Sequence, residues 1–200
     1  MLVVVGGHSR NVGKTSVVAG LIRRLAGRHW TAVKITQYGH GVCSHHGAAC
    51  GCEAGDDHPF ALSEEYEPSR TDSGRFLAAG AARSFWLRTP AGQLATAAAT
   101  LEKLLRQSEN AIVESNSVLE LVRPDVFLMV LDFGCADFKP SSLRFMDRAD
   151  AFVVIDRGIN APLWEDLARG VWDGKPRFLV KPPRYVTREV ADFVARGAAF

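Results

Sequence analysis

Residues 2–20 read LVVVGGHSRNVGKTSVVAG, and the order of residue types in this stretch decides the fold class. Leu2–Val5 is a short aliphatic, β-branched run of the kind that forms a buried strand. A glycine-containing segment, Gly6 to Ser16, comes next. Val17, Val18, Leu21, Ile22 and Leu25 then recur at helical spacing, with Arg23, Arg24 and Arg28 mostly turned from that face. Strand, loop and helix in this order predict a phosphate-binding loop. Glycines let the backbone aim N–H groups at an anion, and the helix N-terminus adds a favourable partial charge. Lys14 would reach the β- and γ-phosphates of a nucleotide, and Thr15 would hold Mg²⁺. The usual spacing places four residues between the two glycines. Here five separate Gly7 from Gly13, with His8 where the first glycine is expected. The predicted nucleotide contacts are Gly7, His8, Ser9, Arg10, Asn11, Val12, Gly13, Lys14, Thr15 and Ser16.

The same alternation continues outward. Strand-like runs recur at Thr31–Ile35, Ser84–Leu87, Ala111–Val113, Val126–Leu131, Ala151–Ile155 and Arg177–Val180. Between them lie a helical stripe of Leu94, Ala97, Ala98, Leu101, Leu104 and Leu105, and another of Val190, Phe193 and Val194. This predicts an α/β fold in three layers, a doubly wound, mostly parallel sheet of about seven strands, as one domain over residues 1–200. A chain of 200 residues that is 47% hydrophobic and 23% charged excludes a disordered, collagen-like or disulfide-scaffold protein. A net charge of +2 argues against a broad basic face for nucleic acid. The opening segment has no basic, apolar leader, and no run reaches the roughly 20 apolar residues of a membrane span. A cytoplasmic protein without membrane or nucleic-acid partners is expected.

Ligands of open parallel sheets bind beyond the carboxyl ends of the strands. Lys34, Glu114, Asp132, Asp156 and Lys181 end predicted strands and form a row to test. Glu114 is the first candidate for the acidic partner of Mg²⁺ beside Thr15, and Asp132 the second. With Lys14 these are the predicted catalytic residues, acting by positioning and charge neutralisation. Lys34 is a further predicted nucleotide contact. Asp72 and Ser73 read either as functional or as the N-cap of a helix running through Ala82.

These residues carry a family resemblance. The Gly, five residues, Gly-Lys-Thr loop resembles that of dethiobiotin synthetase and its relatives. More of the chain resembles the molybdopterin-guanine dinucleotide biosynthesis family MobB, of the SIMIBI class of P-loop NTPases. The phosphate loop, TAVKITQYGHG (Thr31–Gly41), TDSGRFLAAGA (Thr71–Ala81) and the acidic strand end AIVES (Ala111–Ser115) carry it, with Ser115 in place of the family's glycine. The likeness spans roughly residues 1–160. It implies an accessory protein of molybdenum cofactor biosynthesis with weak NTPase activity, GTP or ATP with Mg²⁺ as cofactors, a homodimer, and a molybdenum-cofactor or metalloenzyme partner protein. Guanine is implied by the resemblance alone, since the last strand ends Val180-Lys181-Pro182-Pro183 rather than in a guanine-reading Asn/Thr-Lys-x-Asp. The dethiobiotin synthetase likeness implies instead an ATP-dependent ligase or kinase.

One segment interrupts the resemblance. Residues 36–71 show little apolar periodicity, whereas structureless loops beyond about 12–15 residues are uncommon in compact domains. Within them GHGVCSHHGAACGCEAGDDH (Gly39–His58) supplies Cys43, Cys50 and Cys52 with His40, His45, His46 and His58. Soft thiolate and imidazole ligands suit Zn²⁺, Ni²⁺ or Cu(I). Cys50 and Cys52 with one of Cys43, His45, His46 or His58 form the candidate site, against the alternative of a polar loop without metal. The Cys-Gly-Cys also resembles fragments of nickel-handling SIMIBI GTPases such as the hydrogenase maturation protein HypB. That implies a metallochaperone NTPase in which nucleotide state governs metal release.

Overall fold

The computed structural model describes residues 1–39, 59–159, 162, 164 and 174–197. The strands are β1 (Leu2–Gly7), β2 (Trp30–Tyr38), β3 (Ala61–Glu65), β4 (Arg83–Pro90), β5 (Asn110–Glu114), β6 (Val126–Asp132), β7 (Ala151–Ile155) and β8 (Arg177–Val180). They form one sheet in the order β3-β4-β2-β5-β1-β6-β7-β8. Every neighbouring pair is parallel except β3 on β4. The central strands are buried on both faces, as a sheet covered on both sides requires.

Among the described residues, five helices of α type do the covering: α1 (Lys14–Arg24), α2 (Asp72–Ala78), α3 (Ala98–Arg106), α4 (Pro140–Phe145) and α5 (Arg188–Arg196). Alternate residues of each strand face opposite layers. Val3 and Val5 join Leu21 and Ile22 of α1, Phe76 of α2, and Val190 and Val194 of α5 in one core. Val4 joins Leu101 and Leu104 of α3 and Phe145 of α4 in the other. The expected three-layer α/β architecture is therefore present. Among the described residues, no helix is long and apolar enough to cross a membrane.

Two expectations about the segment 36–71 are corrected. β2 does not end near Lys34 or Ile35 but continues to Tyr38, paired with β4 as far as Pro90. The sheet has eight strands rather than about seven, because Ala61–Glu65 adds an antiparallel edge. Its sequence, ALSEE, gives no apolar alternation because neither face of this strand is fully buried. It is held by backbone pairing and by Glu64, which takes both Nε and a terminal nitrogen of Arg83 at 2.8 and 2.9 Å. The excursion between β2 and β3 thus leaves from the carboxyl end of a central strand.

Candidate nucleotide site

β1 delivers the chain to Gly7, and α1 begins at Lys14. The reversal between them needs left-handed backbone at Asn11 (φ 56°) and Gly13 (φ 98°). The entry to the loop is clamped by Asn116, which follows β5. Gly7 N–H donates to Asn116 Oδ1 at 2.8 Å, and Asn116 Nδ2 donates to the Gly7 carbonyl at 2.9 Å. Asn116 is buried and so close that a Cβ at Gly6 would collide with it. This constraint is invisible in the sequence.

His8 explains the unusual spacing. Its ring is fully buried, at 4.8 Å from Phe138 and 5.6 Å from Trp164, centroid to centroid. Nε2 lies 3.1 Å from the Cys135 carbonyl, to which it donates as the neutral Nε2–H tautomer. Burial holds the imidazole below the ordinary histidine pKa, outweighing its two backbone carbonyl neighbours. The His8 N–H is engaged as well, donating to the Val130 carbonyl at 3.2 Å, so both ring and backbone of His8 fix the loop to the core. Ser9 is likewise occupied, donating to Asp137 Oδ2 at 2.8 Å.

Lys14 Nζ lies over the cradle and donates to the Ser9 carbonyl at 2.8 Å. Burial first, and Lys139 second, push its pKa down to about 8. Thr15 Oγ1 donates to Glu114 Oε2 at 2.8 Å, joining the first turn of α1 to the last residue of β5. The other Glu114 oxygen, Oε1, accepts from Lys34 Nζ at 2.5 Å. Lys34 also pairs with Asp72 Oδ2 at 2.7 Å. Burial alone would lower the Lys34 pKa, but Glu114 and Asp72 outweigh it and hold the ammonium above the ordinary lysine value. Asp72 is also partly desolvated, which raises its pKa, yet Lys34 brings it below the ordinary value.

The strand-end row is thus only partly brought together. Lys34 sits within β2, but its register opposite Glu114 places it at the site all the same. Asp132 accepts from Arg157 Nε at 2.6 Å and from Gly134 N–H at 3.0 Å. Asp156 caps the Gly158 N–H at 2.8 Å, and Lys181 bridges to Arg184. The N-cap of α2 is neither Asp72 nor Ser73 but Thr71, whose hydroxyl accepts from Gly74 N–H at 3.0 Å. This frees Asp72 to pair with Lys34, and Ser73 bonds Glu65 instead. Ser16 accepts from Arg75 at 3.1 Å. Asn116, Lys139 and the buried Ser142 were not legible as site residues, since none lies in a recognisable motif. Cys43, His45, His46, Cys50, Cys52 and His58 lie outside the described residues. Among the described residues, no group of three or more His, Cys, Asp or Glu could hold a metal ion.

The Thr15 hydroxyl and the Glu114 carboxylate are hard oxygen donors on adjoining elements. They fit Mg²⁺, which takes one or two protein oxygens and keeps several waters. Lys14 and the loop N–H groups beyond His8 would be the complementary donors for a polyphosphate, since those of Gly7 and His8 are taken by Asn116 and Val130.

No family model matches the sequence, and no curated protein matches it. Among solved structures, the chain is similar to HypB from Helicobacter pylori in complex with nickel, with 14% identity and a TM-score of 0.46 over 90% of this chain and 78% of that one. It is also similar to the "apo" form of LpxK from Aquifex aeolicus in complex with ATP, with 17% identity and a TM-score of 0.48. That match covers 89% of this chain, which spans 53% of the LpxK chain.

Proposed function

We propose that this protein is a Mg²⁺-dependent P-loop NTPase that binds a nucleoside triphosphate and acts as a MobB-like accessory factor in molybdenum cofactor biosynthesis. The observation that carries the reading is the chain Thr15–Glu114–Lys34–Asp72. These residues come from four separated segments, and the same four segments carry the MobB resemblance in the sequence.

Thr15 and Glu114 would hold the Mg²⁺, which shields charge on the β- and γ-phosphates. Lys14 leaves the Ser9 carbonyl for the phosphates, and the loop N–H groups fix their orientation. Lys34 compensates the buried Glu114 charge and fixes its carboxylate toward Thr15. Both Glu114 oxygens are engaged in this way, which suits it to orienting a hydrated ion rather than taking a proton. The protein is taken as a homodimer, with GTP favoured over ATP. Calorimetric titration with GTP and ATP, in Mg²⁺ and in EDTA, tests the reading. Mg²⁺-dependent binding by the wild type supports it, and no binding of either nucleotide removes it.

A second reading is favoured by the place of the Cys/His segment. Its chain leaves β2 at Tyr38, at the sheet edge that carries the phosphate loop. In this reading the protein is a metal-handling NTPase whose Cys43, Cys50, Cys52 and neighbouring histidines bind Ni²⁺ or Zn²⁺. Elemental analysis of anaerobically purified protein decides it. Stoichiometric metal lost in a Cys50→Ser, Cys52→Ser double variant supports it, and metal-free wild type excludes it.

A further inference from the structure

Lys139 belongs to no motif, yet the fold fastens it to the start of the phosphate loop. Its backbone N–H donates to the His8 carbonyl at 2.9 Å, and its own carbonyl accepts from Ser142 N–H at 2.9 Å. The fully buried Ser142 hydroxyl lies 2.8 Å from the His8 carbonyl and 2.6 Å from that of Lys139, tying the two together. On either side, Phe138 packs on the His8 ring and Asp137 accepts from Ser9. The backbone that carries Lys139 is thus fixed against His8 and Ser9.

On the phosphate-loop reading, that end of the loop would face the distal phosphates. A P-loop lysine reaches the β- and γ-phosphates, and the ammonium of Lys14 rests on the Ser9 carbonyl. The half-buried Lys139 side chain stands in the electrostatic field of Arg10, Lys34 and Lys14, with Glu114 and Asp137 opposing. Both carboxylates are already bonded, Glu114 to Thr15 and Lys34, and Asp137 to Ser9. Burial first, then the like charges, hold the Lys139 ammonium below the ordinary lysine value. Bringing such cations together costs self-repulsion, which a polyphosphate would offset.

We propose that Lys139 is a second phosphate-binding lysine, whose ammonium contacts the terminal phosphate of a bound nucleoside triphosphate beside Lys14. This rests on the phosphate-loop reading above and adds to it a residue that distinguishes triphosphate from diphosphate. A charge-assisted contact made to the γ-phosphate is absent in the diphosphate complex.

The test is equilibrium titration of the full chain in Mg²⁺ with non-hydrolysable triphosphates of guanosine and adenosine, and with the matching diphosphates. Lys139→Met keeps the aliphatic stem and removes the charge. It is expected to weaken the triphosphate about tenfold and to leave the diphosphate within about twofold. Lys139→Arg is expected to restore most of the difference. Should thermal unfolding show that Lys139→Met is not folded, Lys139→Gln takes its place. Equal weakening of both nucleotides, or of neither, overturns the role of Lys139 while leaving the loop reading intact if Lys14→Ala still weakens both. Wild type that binds neither nucleotide overturns the loop reading, and this proposal with it.

Discussion

Thr15 and Glu114 lie 99 positions apart in the chain and meet through a buried 2.8 Å hydrogen bond. The contact exists because β5 lies beside β1 in parallel register, with Val5 opposite Glu114, so that the end of β5 stands beneath the first turn of α1. On the proposed reading, this hydroxyl and carboxylate at the head of α1 would serve a metal-bound polyphosphate. Glu114→Gln keeps the shape and removes the charge. It is expected to abolish the gain in nucleotide affinity on adding Mg²⁺, on the order of tenfold, in parallel titrations with Mg²⁺ and EDTA.

Lys34 is the keystone of the ion-pair chain, because Glu114 has only 2% of its side chain exposed. Removing one partner of a buried pair leaves an uncompensated charge, at a cost of about 3 kcal/mol or more. Lys34→Met should therefore destabilise the protein by about that amount in urea unfolding. Asp72→Asn should cost clearly less, since the Asp72 side chain is 39% exposed.

Asn116→Ala should be severe for a residue in no motif. It leaves both the N–H and the carbonyl of Gly7 without their buried partner, a loss of about 2–4 kcal/mol. Chemical denaturation measures it, and Asn116→Asp, which keeps the acceptor alone, should not recover the wild-type value.

His8 gives the fold an acid sensitivity. Its imidazole is neutral in the fold, with a pKa below the ordinary 6.5, whereas the unfolded chain takes up its proton at 6.5. The unfolded state thus binds more protons between the folded value and 6.5. The His8 contribution is full above 6.5 and declines as pH falls below it. Thermal unfolding between about pH 5 and pH 8 should show the midpoint dropping on the acid side, with a smaller drop in His8→Gln.

The strand, turn and helix of residues 2–24 and the other six predicted strands are legible in the sequence, because buried parallel strands are written as unbroken aliphatic runs and the turn as glycines ahead of Lys14 and Thr15. β3 is not, because its five residues at the sheet edge are ordered by backbone pairing to β4 rather than by burial. Within the site, Glu114 and Lys34 follow from their places along strands. The roles of Asp72, Asn116 and Lys139 depend on side chains or loops meeting across distant segments, which no local pattern records. His8 shows the reverse case. The deviation at the first glycine is plain in the sequence, but its reason, a ring packed against Phe138 and Trp164, is a tertiary fact.

The central claim is that the segment from Gly7 to Ser16 binds nucleotide through Lys14. Isothermal titration of wild type and Lys14→Ala with Mg²⁺ and GTP or ATP tests it most directly, with circular dichroism to confirm that both are folded. The account predicts saturable binding by the wild type and a loss of at least about tenfold in the variant. Equal affinity in the two proteins would contradict it.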